Sequence, residues 1–477
     1  MQSWRISRGA RRRPSALSCG HTSARCSSRA GASGTRNPVG PRDAAGLSRG
    51  PVISAPEEAA VAMIVRKGTV PSTPHTEFYA IPNVLAREEI HGSYGFSGAW
   101  SRKVHVRFYP TEQVKPPRKG ELTLEPDFPS EADILQPYHI RTGRMPFEGD
   151  ALSSRKAIVH GPRTSISVSK PKQSMPTDTF FRNGERHEVY FVQDGQGVVG
   201  SEYGDLKFRK DVYVAIPKGT TYRVDLTSPK AWFLLVESIY PITFAPHYLN
   251  KEGQATLMSP VVETEIETPE LQPFQDKRGE FPIDVKHSGG KITRITLGHH
   301  PFDLAGWEGA LYPFVFDIKS HHGIAREIHT APPMHQTFQS GNVPHSGFSL
   351  CSFVPVMAGW HPREVPAPYA HFNVDSDELM FFCNAFYGAR EGVVEEGSFT
   401  FHPGSTPHSP QGNAAQRSLA ARGKVQARLA VMLDTYFESM RITKAGFAYR
   451  DPEYVLSWSE NIPHAQPAGE GWESPSA

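Results

Sequence analysis

Apolar residues along this chain come in short bursts rather than in long periodic tracts. The longest bursts, AWFLLVESIY at 231–240 and LMFFCNAFYG at 379–388, are of strand length. Stretches such as SEYGDLKF at 201–208 alternate apolar and polar positions, the period of two that puts every second side chain on one face of a strand. Gly (41) and Pro (42) lie between the bursts as punctuation, so the chain reads as many short strands joined by turns. One stretch departs from this pattern: NAAQRSLAARGKVQARLAVM at 413–432 predicts an amphipathic helix. No burst reaches the ~18–20 residues that a membrane helix needs. A soluble, cytoplasmic protein with no membrane partner is expected.

Charge changes the picture at one end. The formal net charge is +2 over 477 residues, but residues 1–62 hold ten Arg against one Asp and two Glu, leaving 41 basic and 46 acidic residues after them. The body is therefore mildly acidic, which excludes nucleic acid as its partner, since backbone binding needs clustered positive charge. Residues 1–62 read as a disordered Arg/Ser-rich leader. It is either upstream sequence preceding a true start at Met63 or, as the alternative, a transit-like targeting segment. The body, 38% hydrophobic across the chain, can bury a large core. Of four cysteines, only Cys351 and Cys383 lie in it, which is no disulfide framework and fits a reducing compartment.

Two segments look like copies of one unit, ERHEVYFVQDGQGVVGSEYGDLKFRKDVYVAIPKGTTYRV (185–224) and DSDELMFFCNAFYGAREGVVEEGSFTFHPGSTPHSP (375–410). Asp211, Pro217, Gly219 and Tyr222 mark the second half of the first copy; Gly397, Pro403, Gly404 and His408 mark that of the second. Pro217 to Tyr222 and Pro403 to His408 have the same spacing. The arrangement resembles the two-motif signature of the cupin jelly roll, in which His-x-His, three or four residues and Glu are followed by Pro-x-Gly-x-x-His. Copy two supplies His371, Asn373 at the second His position, Glu378 and His408. Copy one has Glu188, but Tyr222 replaces the last His and no leading His is present. The expected fold is mainly β, a double-stranded β-helix (cupin jelly roll) in a two-domain bicupin with a degenerate N-terminal barrel. Its expected domains are 63–290 and 291–460, with a flexible tail at 461–477. GQGVVG at 195–200 matches G-x-G-x-x-G, but the strand-like SEYGDLKF follows it where a helix would have to start. It predicts a hairpin turn, not a phosphate loop.

Two neutral imidazoles and a carboxylate on one face of an ion leave positions open for substrate and dioxygen. His371, Glu378 and His408 are such a set, suited to Fe(II), Mn(II) or Zn(II); spacing does not choose among them. For any one of the chain's 21 histidines an ordinary structural role is the simpler reading. Three residue types falling correctly in two linked motifs are not explained that way.

APYAHFNVDSDELMFF, GSFTFHPGSTPHSPQG and LAVMLDTY resemble the C-terminal core of the homogentisate 1,2-dioxygenase family, and the resemblance runs back through PPMHQTFQ and CSFVPV to REEIHGSYGFSGAWS. It implies Fe(2+) held by His371, Glu378 and His408, with His335 beside the substrate ring hydroxyl as base or hydrogen-bond partner. Tyr387, His402 and Tyr369 would lie near the substrate, and His408 would border it as well as the iron. The implied partners are a small aromatic acid and O2, the implied reaction ring opening to maleylacetoacetate, and the implied assembly a homo-oligomer, trimer or hexamer. Two departures stand out: Gln339 ends the His335 segment where an acid is expected, and the His371 to Glu378 spacing is one residue longer than in the animal enzymes. The spacing looks like a bacterial branch. The rivals are a dioxygenase for another hydroquinone acid such as gentisate, and a non-catalytic double cupin that binds or stores a small ligand. The pairs His299/His300 and His321/His322 read as surface or turn residues.

Overall fold

The computed structural model of the chain describes residues 64–71, 86–92, 99–250, 254–322, 336–342, 345–358, 370–385, 390, 392–411, 420 and 423–459. Three large sheets organise them. A central eight-stranded sheet carries, among others, Val212–Ile216, His187–Asp194, Trp232–Ser238 and Thr164–Ser169 as neighbours. A seven-stranded sheet runs from Gly204–Phe208 through Gly197–Ser201, Thr221–Leu226, Phe180–Asn183, Arg278–His287 and Lys291–His299 to Gln113–Lys119. A second seven-stranded sheet runs from Ile242–Phe244 through Gln336–Asn342, His345–Phe353, Ala430–Thr435, Glu378–Phe382 and Phe399–His402 to Tyr138–Ile140. The chain is mainly β, as expected. Among the described residues, no helix is long and apolar enough to cross a membrane.

The apolar bursts follow from this layering. Tyr190, Val192, Val214, Phe233 and Leu235 of the central sheet join Phe181, Val199, Leu206 and Val224 of the first seven-stranded sheet in one core. Alternate residues of the same central strands, Phe191, Tyr213, Leu234 and Val236, pack instead with Phe338, Leu350, Leu379, Phe381 and Leu433 of the other. Both faces of the central sheet are thus buried, which is why its strands read as continuous apolar runs rather than as clean alternation. Each large side chain so enclosed contributes ~1.5–3 kcal/mol through burial. Glu378–Phe382 has the same two-sided character: Leu379 and Phe381 face the shared core, while Met380 and Phe382 face a third cluster with Cys351, Phe353 and Met432. Glu378 lies on the Met380 side by strand alternation. That side is the interior of the second barrel.

The structure departs from the sequence reading in several places. Arg278–His287 and Lys291–His299 pair as one hairpin across the expected boundary at 290/291, and Phe314–Asp317 joins the central sheet, while Leu304–Gly309 between them pairs with Val65–Gly68 and Trp100–His105 in a separate four-stranded sheet. In the other direction, Tyr138–Ile140 and Ile242–Phe244 lend edge strands to the second. The leader 1–62 and the tail 461–477 lie outside the described residues. Of the helix predicted at 413–432, residues 413–419, 421 and 422 lie outside the described residues and Ala420 is helical, whereas Lys424–Gln426 and Ala430–Thr435 are strands. Gly423 has φ +70, and Val431 and Leu433 take places in the shared core, so sheet packing overrides the helical pattern. GQGVVG starts no helix, as expected, but it is no hairpin turn either. Gly195 (φ +92) turns the chain from the central sheet into Gly197–Ser201 of the neighbouring one.

The repeat is visible in the backbone. Asp211 (φ +68) and Gly397 (φ +70) hold the same left-handed conformation at matching positions of the two copies. At Gly397 a Cβ would also fall 1.8 Å from Cη2 of Trp232. Gly397→Ala is therefore expected to lose on the order of 2–4 kcal/mol, from strain and from displacing a core tryptophan. Asp211→Gly, at the equivalent position with no such clash, should cost far less. Thermal melts of the two variants make the comparison.

Candidate metal centre

Glu378 opens the strand Glu378–Phe382 and stands between two neighbours in the ladder, opposite His402 on one side and Asp434 on the other. His371 and His408 come from the segments flanking that strand and Phe399–His402. They pair with each other through two backbone hydrogen bonds, each N–H donating to the other carbonyl at 2.9 Å. The Pro403–Ser405 turn before His408 is closed by Asp377, whose carboxylate accepts from the N–H of Gly404 (2.7 Å) and of Met440 (2.7 Å). Two separate chain segments thus bring their side chains to one spot. Nε2 of His371 lies 3.3 Å and Nε2 of His408 3.4 Å from Oε2 of Glu378, and one ligand atom from each of the three falls within 4.8 Å of the others.

The hydrogen bonds show that this cluster fits a cation. Nδ1 of His408 is 3.1 Å from the Thr406 carbonyl, which can only accept, so Nδ1 carries a proton and the neutral ring has its lone pair on Nε2. That lone pair faces a carboxylate oxygen at 3.4 Å and has no hydrogen-bond donor. Two buried acceptors aimed at each other are unfavourable unless a positive charge lies between them. The imidazole anchored by a backbone carbonyl through its far nitrogen is also how metal-ligating histidines are oriented. Burial would raise the Glu378 carboxyl, but His371 and His402, which can donate to it, hold it well below the usual carboxylate range.

His402 is buried, stacks on His408 with ring centroids 4.2 Å apart, and has Nδ1 3.6 Å from Oε1 of Glu378. Burial, with the Arg390 charge adding to it, pushes its pKa down to about 3, so the ring is neutral. Of the other residues singled out in the sequence, His335, Tyr369 and Tyr387 lie outside the described residues. Asn373 does not point at the cluster's ligand atoms but donates to Oδ1 of Asp434 (3.4 Å). Gln339, the departure noted above, is buried and bonds Gln336 and the Gly341 carbonyl.

Sequence reading missed two residues here. Asp434 is a buried carboxylate beside Glu378; burial, and then the Glu378 charge, push it up to about 7. Its signal was an acid inside the apolar run LAVMLDTY. Tyr454, whose hydroxyl meets Nε2 of His402 at 3.0 Å, gave none. Three histidines read as surface residues are buried instead: His299 (stacked on Phe108 at 4.8 Å), His300 and His321. Their ring nitrogens meet local polar partners, including Thr337 for His321 and backbone carbonyls for His299.

The first barrel explains itself by comparison. Glu188 stands opposite Glu237 and Ile216 in its ladder, as Glu378 stands opposite Asp434 and His402. At the place of the histidines is a guanidinium. Nη1 of Arg155 donates to Oε1 of Glu188 (2.9 Å) and lies 3.9 Å from Glu237, Nη2 donates to the Tyr190 hydroxyl, and the Tyr222 hydroxyl donates to Oε2 of Glu188 (2.8 Å). Lys286 and Asn183 complete Glu237. This barrel carries its cation covalently, as the Arg155 guanidinium on Glu188.

Residues 156–318 match the model of the homogentisate 1,2-dioxygenase N-terminal family. A provisionally named dioxygenase of Saccharolobus solfataricus is 29% identical over 393 residues, 82% of this chain and 98% of that protein. Homogentisate 1,2-dioxygenase of Caenorhabditis elegans is 28% identical over 318 residues, 65% of this chain and 69% of the relative. Among solved structures, a Cupin 2 conserved barrel domain protein from Leptotrichia buccalis aligns with 64% of this chain and 97% of its own, at 10% identity and a TM-score of 0.29. The family match and the two relatives support the homogentisate dioxygenase family and a dioxygenase activity. The matched family region is the first barrel, whereas the metal cluster lies in the second.

Proposed function

We propose that this chain is an Fe(II)-dependent ring-cleaving dioxygenase of the longer-spaced, bacterial-type branch, opening homogentisate with O2 to maleylacetoacetate. The observation that carries the reading is the His408 lone pair held against Glu378 beside His371, a donor set of two imidazoles and one carboxylate. The family match in the first barrel and the Caenorhabditis elegans relative support the substrate.

His371, Glu378 and His408 would hold the iron, which supplies a site where an electron-rich dihydroxyphenyl acid and triplet dioxygen, slow to react alone, can react with each other. The protein's own residues do the rest. A neutral His402 can donate its single ring proton to oxygen charge that develops during cleavage, and its stacking on His408 fixes where that proton points. His335 is the proposed base for the ring hydroxyl, its ordinary pKa near 6.5 suiting proton transfer around neutrality, with Tyr387 and Tyr369 beside the substrate.

The test is an oxygen electrode. Full-length protein reconstituted anaerobically with Fe(II) should consume O2 with homogentisate and form an absorbing ring-cleaved product. Uptake with gentisate but not homogentisate would replace the substrate, and no uptake with any hydroquinone acid despite stoichiometric iron would favour a binding protein.

A further inference from the structure

The C-terminal segment after the short helix Lys444–Ala448 returns to the metal barrel and delivers one hydroxyl to it. Trp458 donates from Nε1 to the Ser409 carbonyl (3.0 Å), next to the ligand His408. Asp451 accepts from Arg141 (2.8 Å) and meets Nδ1 of His139 (3.1 Å), whose Nε2 reaches the Ser398 hydroxyl (2.8 Å). Between these two ties sits Tyr454, 1% exposed, its ring against Trp458 at 4.8 Å and its hydroxyl 3.0 Å from Nε2 of His402.

We propose that Tyr454 is a positioning residue that fixes the tautomer of His402, keeping the imidazole proton on Nδ1, toward Glu378 and the metal centre. The ring of His402 lies between a hydroxyl and a carboxylate. A carboxylate only accepts, so Nδ1, 3.6 Å from Oε1 of Glu378, must carry the proton if two acceptors are not to face each other. Nε2 is then a lone pair, and the Tyr454 hydroxyl donates to it. The hydroxyl of Tyr454 then donates to Nε2 of His402, and the Nδ1–H of His402 is turned toward Glu378 at 3.6 Å. The opposite tautomer would aim a lone pair at Glu378 and leave His402 nothing to donate toward a bound ligand. Such partners of a metal site's surroundings set ring orientation and affinity without touching the metal.

The assignment rests on the metal-centre reading, and its experiment separates the two. Metal-free, 15N-histidine-labelled full chain should show His402, identified by the signals lost in His402→Gln, with a protonated Nδ1 and a bare Nε2. Tyr454→Phe, which keeps the ring and its packing, should reverse or split that pattern. In parallel, Co(II) is titrated by visible absorption. Tyr454→Phe should weaken Co(II) about tenfold, but should have no effect in a His402→Asn background, where the imidazole it acts through is gone. An unchanged Nδ1–H in Tyr454→Phe, or an equal loss of Co(II) affinity in both backgrounds, overturns the proposal. If the tautomer changes in Tyr454→Phe while the unaltered protein takes up no Co(II), the positioning role stands and the metal reading falls.

Discussion

Glu378→Gln should abolish metal binding and at the same time stabilise the metal-free protein. The first effect is the loss of the only charged ligand among His371, Glu378 and His408, and divalent-cation affinity should fall by at least about 100-fold, with ring-cleaving activity lost alongside it. The second follows from the proton on Nδ1 of His408. In the metal-free protein, Nε2 of His408 and Oε2 of Glu378 are acceptors 3.4 Å apart. In Glu378→Gln the N–H₂ can face that lone pair and also Nε2 of His371, 3.3 Å from the same position, whose ring proton then moves to Nδ1, so the conflict becomes a hydrogen bond worth ~1 kcal/mol. Glu378 would then be a residue kept for binding at the expense of apo stability. An ordinary structural ion pair predicts the reverse, because removing one partner of a buried pair destabilises. Isothermal titration with Fe(II) under anaerobic conditions and thermal melts in chelator measure the two halves. A variant that melts several degrees below metal-free wild type would show that Glu378 is structural.

What the sequence disclosed is what local chemistry encodes. The period-two stretches and Gly/Pro spacing gave the β class, and the paired motifs placed His371, Glu378 and His408 before their distances were known. His402 was legible only through the family resemblance of GSFTFHPGSTPHSPQG, not from its own spacing. What was hidden depends on which distant segments meet. Nothing local tells that Tyr138–Ile140 pairs with Phe399–His402, that the hairpin at 278–299 stays with the first barrel, or that Tyr454 reaches His402. The second half of the helix expected at 413–432 failed for the same reason, since it is paired with strands about 50 and 80 residues upstream in sequence. His299, His300 and His321 show the limit for single residues: a buried histidine that finds local hydrogen-bond partners carries no mark in the sequence that separates it from an exposed one.

Glu188→Gln should be among the most destabilising conservative substitutions in the chain, although Glu188 lies outside the His371, Glu378 and His408 cluster. Arg155 and Glu188 are both buried, at 5% and 0% exposure, and Glu188 accepts from Arg155 and from Tyr222. Glutamine keeps the volume but leaves the guanidinium, still bonded to the neutral Tyr190 hydroxyl, with Glu237 as its nearby carboxylate, 3.9 Å away and already engaged by Lys286 and Asn183. An under-compensated buried charge of this kind costs ~3–5 kcal/mol. Because both faces of the central sheet that carries Glu188 are packed, the loss should reach the second barrel and lower its metal occupancy as well. The double variant Arg155→Met with Glu188→Gln removes the stranded cation and should recover much of the melting temperature, since exchanging a buried ion pair for neutral groups is often close to neutral. Acid should act in the same direction. Burial would raise the Glu237 carboxyl, but Lys286 and Arg155 outweigh it and hold its pKa at about 2, below its ordinary 4.5. A carboxyl depressed in the folded state stabilises above pH 4.5 and loses that contribution as pH falls toward 2. Melting temperatures of wild type and the two variants at neutral pH, and of wild type between pH 5 and 2, decide it. If Glu188→Gln alone melts with wild type, Arg155 is not the cation that this barrel depends on.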